Sequence, residues 1–294
     1  MTRALSIAGL TKSFRNFTLG PLDLELEEGM TLGLIGPNGA GKTTTLNCIM
    51  GLVKRDTGTV EVSGIPATLN TADWKRDIGF VGDDQAFYEE WSAARNLRFI
   101  APFYPNWSEE RAKSLAERFL LPLDKKAREL SRGNRVKLAL IMALAREPRL
   151  YIFDEPTLGL DPVVRSELLE TLWESLSRGR CSILFSTHNM SDVGKLADEL
   201  LFLDNGTTKL RTTKDALTER WRRISFRFTG ALPSLDGAAS ISRDGQDYQV
   251  VSYDGEATHQ ALHALGVAPI TESRLALDEI VVQVLKGGGD VAAR

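Results

Sequence analysis

Gly36-Pro37-Asn38-Gly39-Ala40-Gly41-Lys42-Thr43-Thr44 decides how this chain reads. Gly36 to Thr43 fits G-x-x-x-x-G-K-[ST]. It stands between a short apolar run, Thr31-Leu32-Gly33-Leu34-Ile35, and a helix-like stretch, Lys42 to Met50, that Gly51 ends. A strand, a glycine-rich loop and a helix in that order make a phosphate cradle. The glycines let the backbone N–H groups around Asn38, Gly39, Ala40 and Gly41 approach phosphate oxygens. Lys42 reaches the β and γ oxygens, and Thr43 offers a hydroxyl to Mg2+. The helix start, with Thr44 in its first turn, adds a favourable dipole. The ligand class implied is a nucleoside triphosphate.

Two further runs, Leu150-Tyr151-Ile152-Phe153 and Ser182-Ile183-Leu184-Phe185, are short and continuously apolar. Such runs suit strands buried on both faces of a largely parallel sheet. Between them Asp161-Pro162 opens a helix, with a side-chain cap and Pro at the first helical position. The alternation predicts an α/β core. Asp154-Glu155 follows the first of these runs. Two acids after a strand are commonly a solvated turn or a helix cap. Beside a phosphate loop, Asp154 reads as a holder of the Mg2+ shell and Glu155 as the group that orients and deprotonates a water.

Composition bounds the rest. The 294 residues allow one large domain, or a domain of about 200 residues plus a small one. A net charge of −3 gives no basic footprint for nucleic acid, so no such partner is expected. The longest apolar run, Leu138 to Ala145, falls well short of the about 18 residues that suggest a membrane span. Met1 to Leu5 leads into a strand-like run rather than a signal peptide's apolar core. Cys48 and Cys181 sit in apolar surroundings and read as buried thiols of a reducing compartment. A cytosolic protein is expected.

Residues 91–130 depart from the strand–helix alternation. Ser108-Glu109-Glu110 starts a helix with acids in its first turn, no strand intervenes, and the segment reads as a helical insertion. The character changes again near Trp221. Ile224 to Phe228 and Tyr248 to Val251 read as strands, and Glu256 to Leu265 and Leu275 to Leu285 as helices. Residues 221–294 are therefore expected to form a small α+β domain after a first domain of 1–220, with a frayed tail from Gly287 onward. His259 and His263 share a helix face, but no Cys or third His accompanies them, so the pair reads as incidental to an amphipathic helix.

Leu130-Ser131-Arg132-Gly133-Asn134 stands ahead of the helical stretch Val136 to Ala145. At this point the chain resembles the ATP-binding cassette (ABC) ATPases, whose signature is Leu-Ser-Gly-Gly-Gln. The likeness continues in Glu155-Pro156-Thr157-Leu158-Gly159-Leu160-Asp161, similar to that family's Walker B exit and D-loop, and in Ser186-Thr187-His188, similar to its switch histidine. It covers residues 4 to about 220, with the motifs in family order. The resemblance implies a P-loop ABC ATPase domain with a mixed sheet, taking ATP and Mg2+. It implies Glu155 as base and His188 as γ-phosphate sensor. Phe14 sits where the family stacks an aromatic on adenine, with Phe17 the nearest competitor. Two cassettes are implied to pair head to tail, so that Ser131 and Gly133 meet the γ-phosphate held by the partner. In the place of the Q-loop, Asp83 aligns with the usual glutamine and would face Mg2+ or the attacking water; Gln85 lies two residues late.

The ending Leu275-Ala276-Leu277-Asp278-Glu279-Ile280-Val281-Val282-Gln283-Val284-Leu285 looks like the close of ABC-2 exporter cassettes. The implied protein is the ATPase subunit of an exporter, held at the inner face of the membrane by separate permease subunits and paired with a second cassette. The alternative is a soluble ABC ATPase acting on a partner such as the ribosome. Against that alternative, the chain has one phosphate loop and no heptad runs.

Overall fold

The apolar run ahead of the phosphate loop is a fully buried strand, Thr31–Ile35, in the computed structural model of the chain. The structure describes residues 2–287 apart from 69, 70, 180 and 231; the tail expected from Gly287 lies, from 288 on, outside the described residues. Two units divide the chain, Met1–Thr208 and Lys209–Arg294. The expected boundary at 220 falls at the end of a helix, Lys214–Arg220, within the second unit.

The first unit begins with β1 (Arg3–Phe14), β2 (Phe17–Glu27) and β3 (Thr31–Ile35), then α1 (Lys42–Ile49), β4 (Thr57–Val62), β5 (Ile65–Pro66) and β6 (Ile78–Val81). It continues through α2 (Ala93–Ile100), α3 (Glu109–Arg118), α4 (Arg132–Leu144), β7 (Leu150–Asp154), α5 (Pro162–Ser177), β8 (Ser182–Ser186), α6 (Met190–Leu196) and β9 (Glu199–Asp204). An antiparallel sheet runs β2-β1-β4-β5, and parallel strands lie in the order β9-β3-β8-β7-β6. The fold is α/β, as the alternation of segments implies. Every residue of β3, β7 and β8 is buried, which explains why these strands are apolar throughout instead of alternating.

The stretch between β6 and α4 carries α2 and α3, each capped by a serine: Ser92 accepts from the Arg95 N–H and Ser108 from the Arg111 N–H. Asp161 caps α5 by accepting from the Val164 N–H, with Pro162 at the first helical position. That bond holds the Asp161 carboxyl below its usual range.

β10 (Thr207–Thr213) carries the chain across the boundary. The second unit then contains α7 (Lys214–Arg220), β11 (Arg222–Arg227), β12 (Ala238–Asp244), β13 (Asp247–Ser252), α8 (Gly255–Ala264), β14 (Thr271–Arg274) and α9 (Leu277–Lys286). Its antiparallel sheet runs β12-β13-β11-β14. Phe226 and Tyr248 stack at 5.6 Å in its core, beside Ile224, Val250 and Leu262. The edge strands β12 and β14 are additions to the sequence reading. β14 is exposed at all four positions and β12 at most of its seven, so neither carries an apolar pattern.

Leu184→Ala empties a fully buried site in the middle of β8. It should lower the unfolding free energy of this unit by about 3 kcal/mol, seen as an earlier urea midpoint at unchanged slope.

Candidate functional site

The phosphate loop leaves β3 at Ile35 and enters α1 at Lys42. Gly41 turns the chain with φ +106°, and a side chain there would run into Leu19 and Phe17, so glycine is required on both counts. Lys42 is buried, and its ammonium donates to the carbonyls of Gly36 at 2.7 Å and Pro37 at 3.3 Å. Those bonds fold the side chain back over the loop it serves.

Parallel pairing places the acids beside this loop. Ser186, the last residue of β8, registers with Leu34 on one side and Asp154 on the other. Its hydroxyl donates to the Asp154 carboxylate, which is 5% exposed, and accepts from the Glu155 N–H at 3.0 Å. Glu155 bends away from the strand with φ +48°, an arrangement costing roughly 1–2 kcal/mol for a residue with a Cβ. The bend carries its carboxylate to the His188 Nδ1, 2.9 Å away. Glu155 is mostly covered while His188 is exposed, so the imidazole is the solvent-side member of the pair.

The turn after Glu155 is anchored from below. Asp192 on α6 is 2% exposed and accepts from the Thr157 hydroxyl at 2.7 Å and from Arg165 at 2.7 and 2.9 Å. A buried carboxylate with three donors is satisfied, and it pins the segment that presents Glu155.

These groups open onto one pocket of 660 Å³. Asn38, Gly39, Ala40, Gly41, Lys42, Thr43 and Thr44 line it, together with Asp83, Asp154, Glu155 and His188. So do Phe17, Arg132 and Leu158. Phe14, Ser131 and Gly133 are not among its lining residues. The Phe14 ring lies 6.4 Å from that of Phe17 and is 47% exposed, and Phe17 is the aromatic that touches the loop. Of the two Q-loop candidates, Asp83 faces the pocket, while the Gln85 amide donates to the Gly82 carbonyl at 3.3 Å.

Ser131 caps α4, accepting from the Asn134 N–H at 3.3 Å. Gly133 packs on the turn after Glu155, where a Cβ would lie 2.5 Å from the Gly159 carbonyl oxygen. Arg132 reaches across to Asp83, 3.3 Å between Nη2 and Oδ1. In the second unit, His259 pairs with Glu272 at 3.0 Å. Among the described residues no three metal-binding side chains converge. The motifs hid two contributors. Ser186 and Asp192 act through backbone register and burial, which only the fold supplies. Arg132 was legible as an unusual cation in the signature.

The family model described as ABC transporter matches residues 19–158. The chain is 30% identical over 213 residues to the ABC transporter ATP-binding protein YtrB of Bacillus subtilis, covering 72% of this chain and 73% of that one. It is 35% identical to the Nod factor export ATP-binding protein I of Cupriavidus metallidurans, covering 70% of each. A solved structure of an ATP-binding subunit of an ABC transporter superposes with a TM-score of 0.67 at 30% identity, over 74% of this chain and 92% of that chain.

Ser186→Ala takes the hydroxyl acceptor from the Glu155 N–H, leaving it the Ser186 carbonyl alone, and takes a donor from buried Asp154. It should lower the unfolding free energy by about 1–3 kcal/mol, read from urea transitions of the variant and the parent chain.

Proposed function

This chain belongs to the ABC transporter family as an ATP-binding, ATP-hydrolysing subunit that uses Mg2+, and on that premise we propose that it is one half of an ATP-closed clamp driving an exporter. The observation that carries the clamp is a separation within one chain. The phosphate loop, Asp154, Glu155 and His188 share a pocket, whereas Ser131 and Gly133 stand outside it. A second cassette, in this reading a copy of the same chain, docks its Ser131 and Gly133 over the γ-phosphate.

The pocket residues fit a magnesium triphosphate. Backbone N–H groups of the loop and the α1 N-terminus meet the phosphates, and Lys42 exchanges its loop carbonyls for β and γ oxygens. Thr43 and Asp154 would hold Mg2+, with Asp154 aimed by Ser186, and Asp83 lines the same pocket. The metal supplies charge neutralisation at the phosphates. Glu155 takes the proton of a water whose oxygen bonds to the γ-phosphorus as the bond to the leaving ADP oxygen breaks. His188, fixed by Glu155, donates to the γ-phosphate. Phe17 or its neighbour Phe14 stacks on adenine.

Export is supported by relatives such as the Nod factor export protein and by the acidic, apolar helix α9. Passage across the membrane falls to separate permease subunits, which hold the cassette at the inner face. Residues 221–294 act as an accessory domain for dimer contact or regulation. The chemistry of the cargo is chosen by the permease.

Glu155→Gln keeps the shape of the site and removes the base. Turnover should drop at least about 100-fold, and size-exclusion chromatography with ATP should show a dimer of the 32.4 kDa chain. A Glu155→Gln chain that stays monomeric in saturating ATP would overturn the clamp.

A further inference from the structure

One exposed charge pair lines the nucleotide pocket. Asp83, just after β6, and Arg132, the first residue of α4, both line it, with Nη2 and Oδ1 3.3 Å apart. Their side chains are 59% and 70% exposed. An exposed ion pair of this length is weak and is readily exchanged for a better anion. A guanidinium presents five donors in a planar fork that suits a phosphate as well as a carboxylate, and this contact uses one of them. Three acids line the same pocket, Asp83, Asp154 and Glu155, against Lys42 and Arg132 as its full cations. An entering triphosphate therefore meets a site short of positive charge, with one cation already held in place by an expendable partner.

We propose that Arg132 binds the triphosphate held in the pocket of its own chain, and that Asp83 is the stand-in anion that keeps the guanidinium there until a phosphate replaces it. The proposal rests on the ATP-binding reading above. It differs from a structural tie between the loop after β6 and α4, because a tie would be indifferent to the number of phosphates. Adenosine diphosphate keeps the loop's contacts and the β oxygens at Lys42 and lacks the γ-phosphate, which is what Arg132 distinguishes.

The test titrates the full chain with fluorescent ATP and ADP analogues in EDTA, which removes any metal contact of Asp83 from the result. Arg132→Ala should weaken the ATP analogue about tenfold and the ADP analogue much less, and Arg132→Lys should recover part of the loss. Asp83→Asn should tighten the ATP analogue when Arg132 is present and do so less when it is absent, a coupling that the double-mutant cycle isolates. Melting curves accompany each titration; if Arg132→Ala unfolds early, Arg132→Gln makes the same comparison. Unchanged ATP affinity in the Arg132 variants, or equal losses for ATP and ADP, sinks the proposal. A parent chain that binds neither nucleotide sinks the ATP-binding reading and this inference with it. Parent binding with an indifferent Arg132 sinks the inference alone.

Discussion

The site depends on one row of residues. Leu34, Ser186 and Asp154 lie side by side across β3, β8 and β7, because the parallel ladder pairs Leu34 with Ser186 and Ser186 with Asp154. The residues that line the pocket are counted from that row. The phosphate loop starts two residues beyond it on β3, Glu155 one residue beyond on β7 and His188 two beyond on β8. A slip of one residue in either pairing would turn Asp154 and Ser186 to the opposite face of the sheet and dismantle the pocket. Burial of every position in these three strands makes such a slip costly.

The row also explains where strain is accepted. Glu155 leaves the strand at once, and its carboxylate meets the His188 Nδ1 2.9 Å away. The left-handed backbone accomplishes this, and its cost is offset by two bonds from the Glu155 N–H to the Ser186 hydroxyl and carbonyl. Beneath the turn, Asp192 is held by Thr157 and Arg165 and keeps the following residues from relaxing. Glu155 thus sits on a bend that its own strand neighbour and a buried carboxylate enforce.

This division sets what a reader of the sequence alone can see. Phosphate-loop geometry is local, so the residues of 36–44 announce themselves by type and spacing, and the buried strands by unbroken apolar runs. Contacts between distant segments leave no such mark. Ser186 looks like any serine at a strand end, and only the register makes it the partner of Asp154. Phe14 and Phe17 cannot be told apart by spacing, because they flank the turn between β1 and β2. The pairing of those strands turns Phe17 onto Gly41 and leaves Phe14 in solvent. Asp83 and Gln85 differ in the same way: once the backbone after β6 is placed, Asp83 meets the pocket while Gln85 bonds back to Gly82. The edge strands β12 and β14 escape notice because exposed edges need no apolar alternation.

The signature residues carry the subtler lesson, since two of them already have work inside their own chain. Ser131 caps α4, and Gly133 is glycine because the Gly159 carbonyl would lie 2.5 Å from a Cβ. Glycine at 133 is therefore required even without a partner, and its identity alone argues nothing about a second cassette. What argues for one is position and unused capacity. Ser131 accepts from the Asn134 N–H, which leaves its hydroxyl proton free to donate, at a helix start that favours anions and outside the pocket of its own chain. Gly133 rests on the same turn that Glu155 begins, so the signature and the turn after the strand are packed together within one chain.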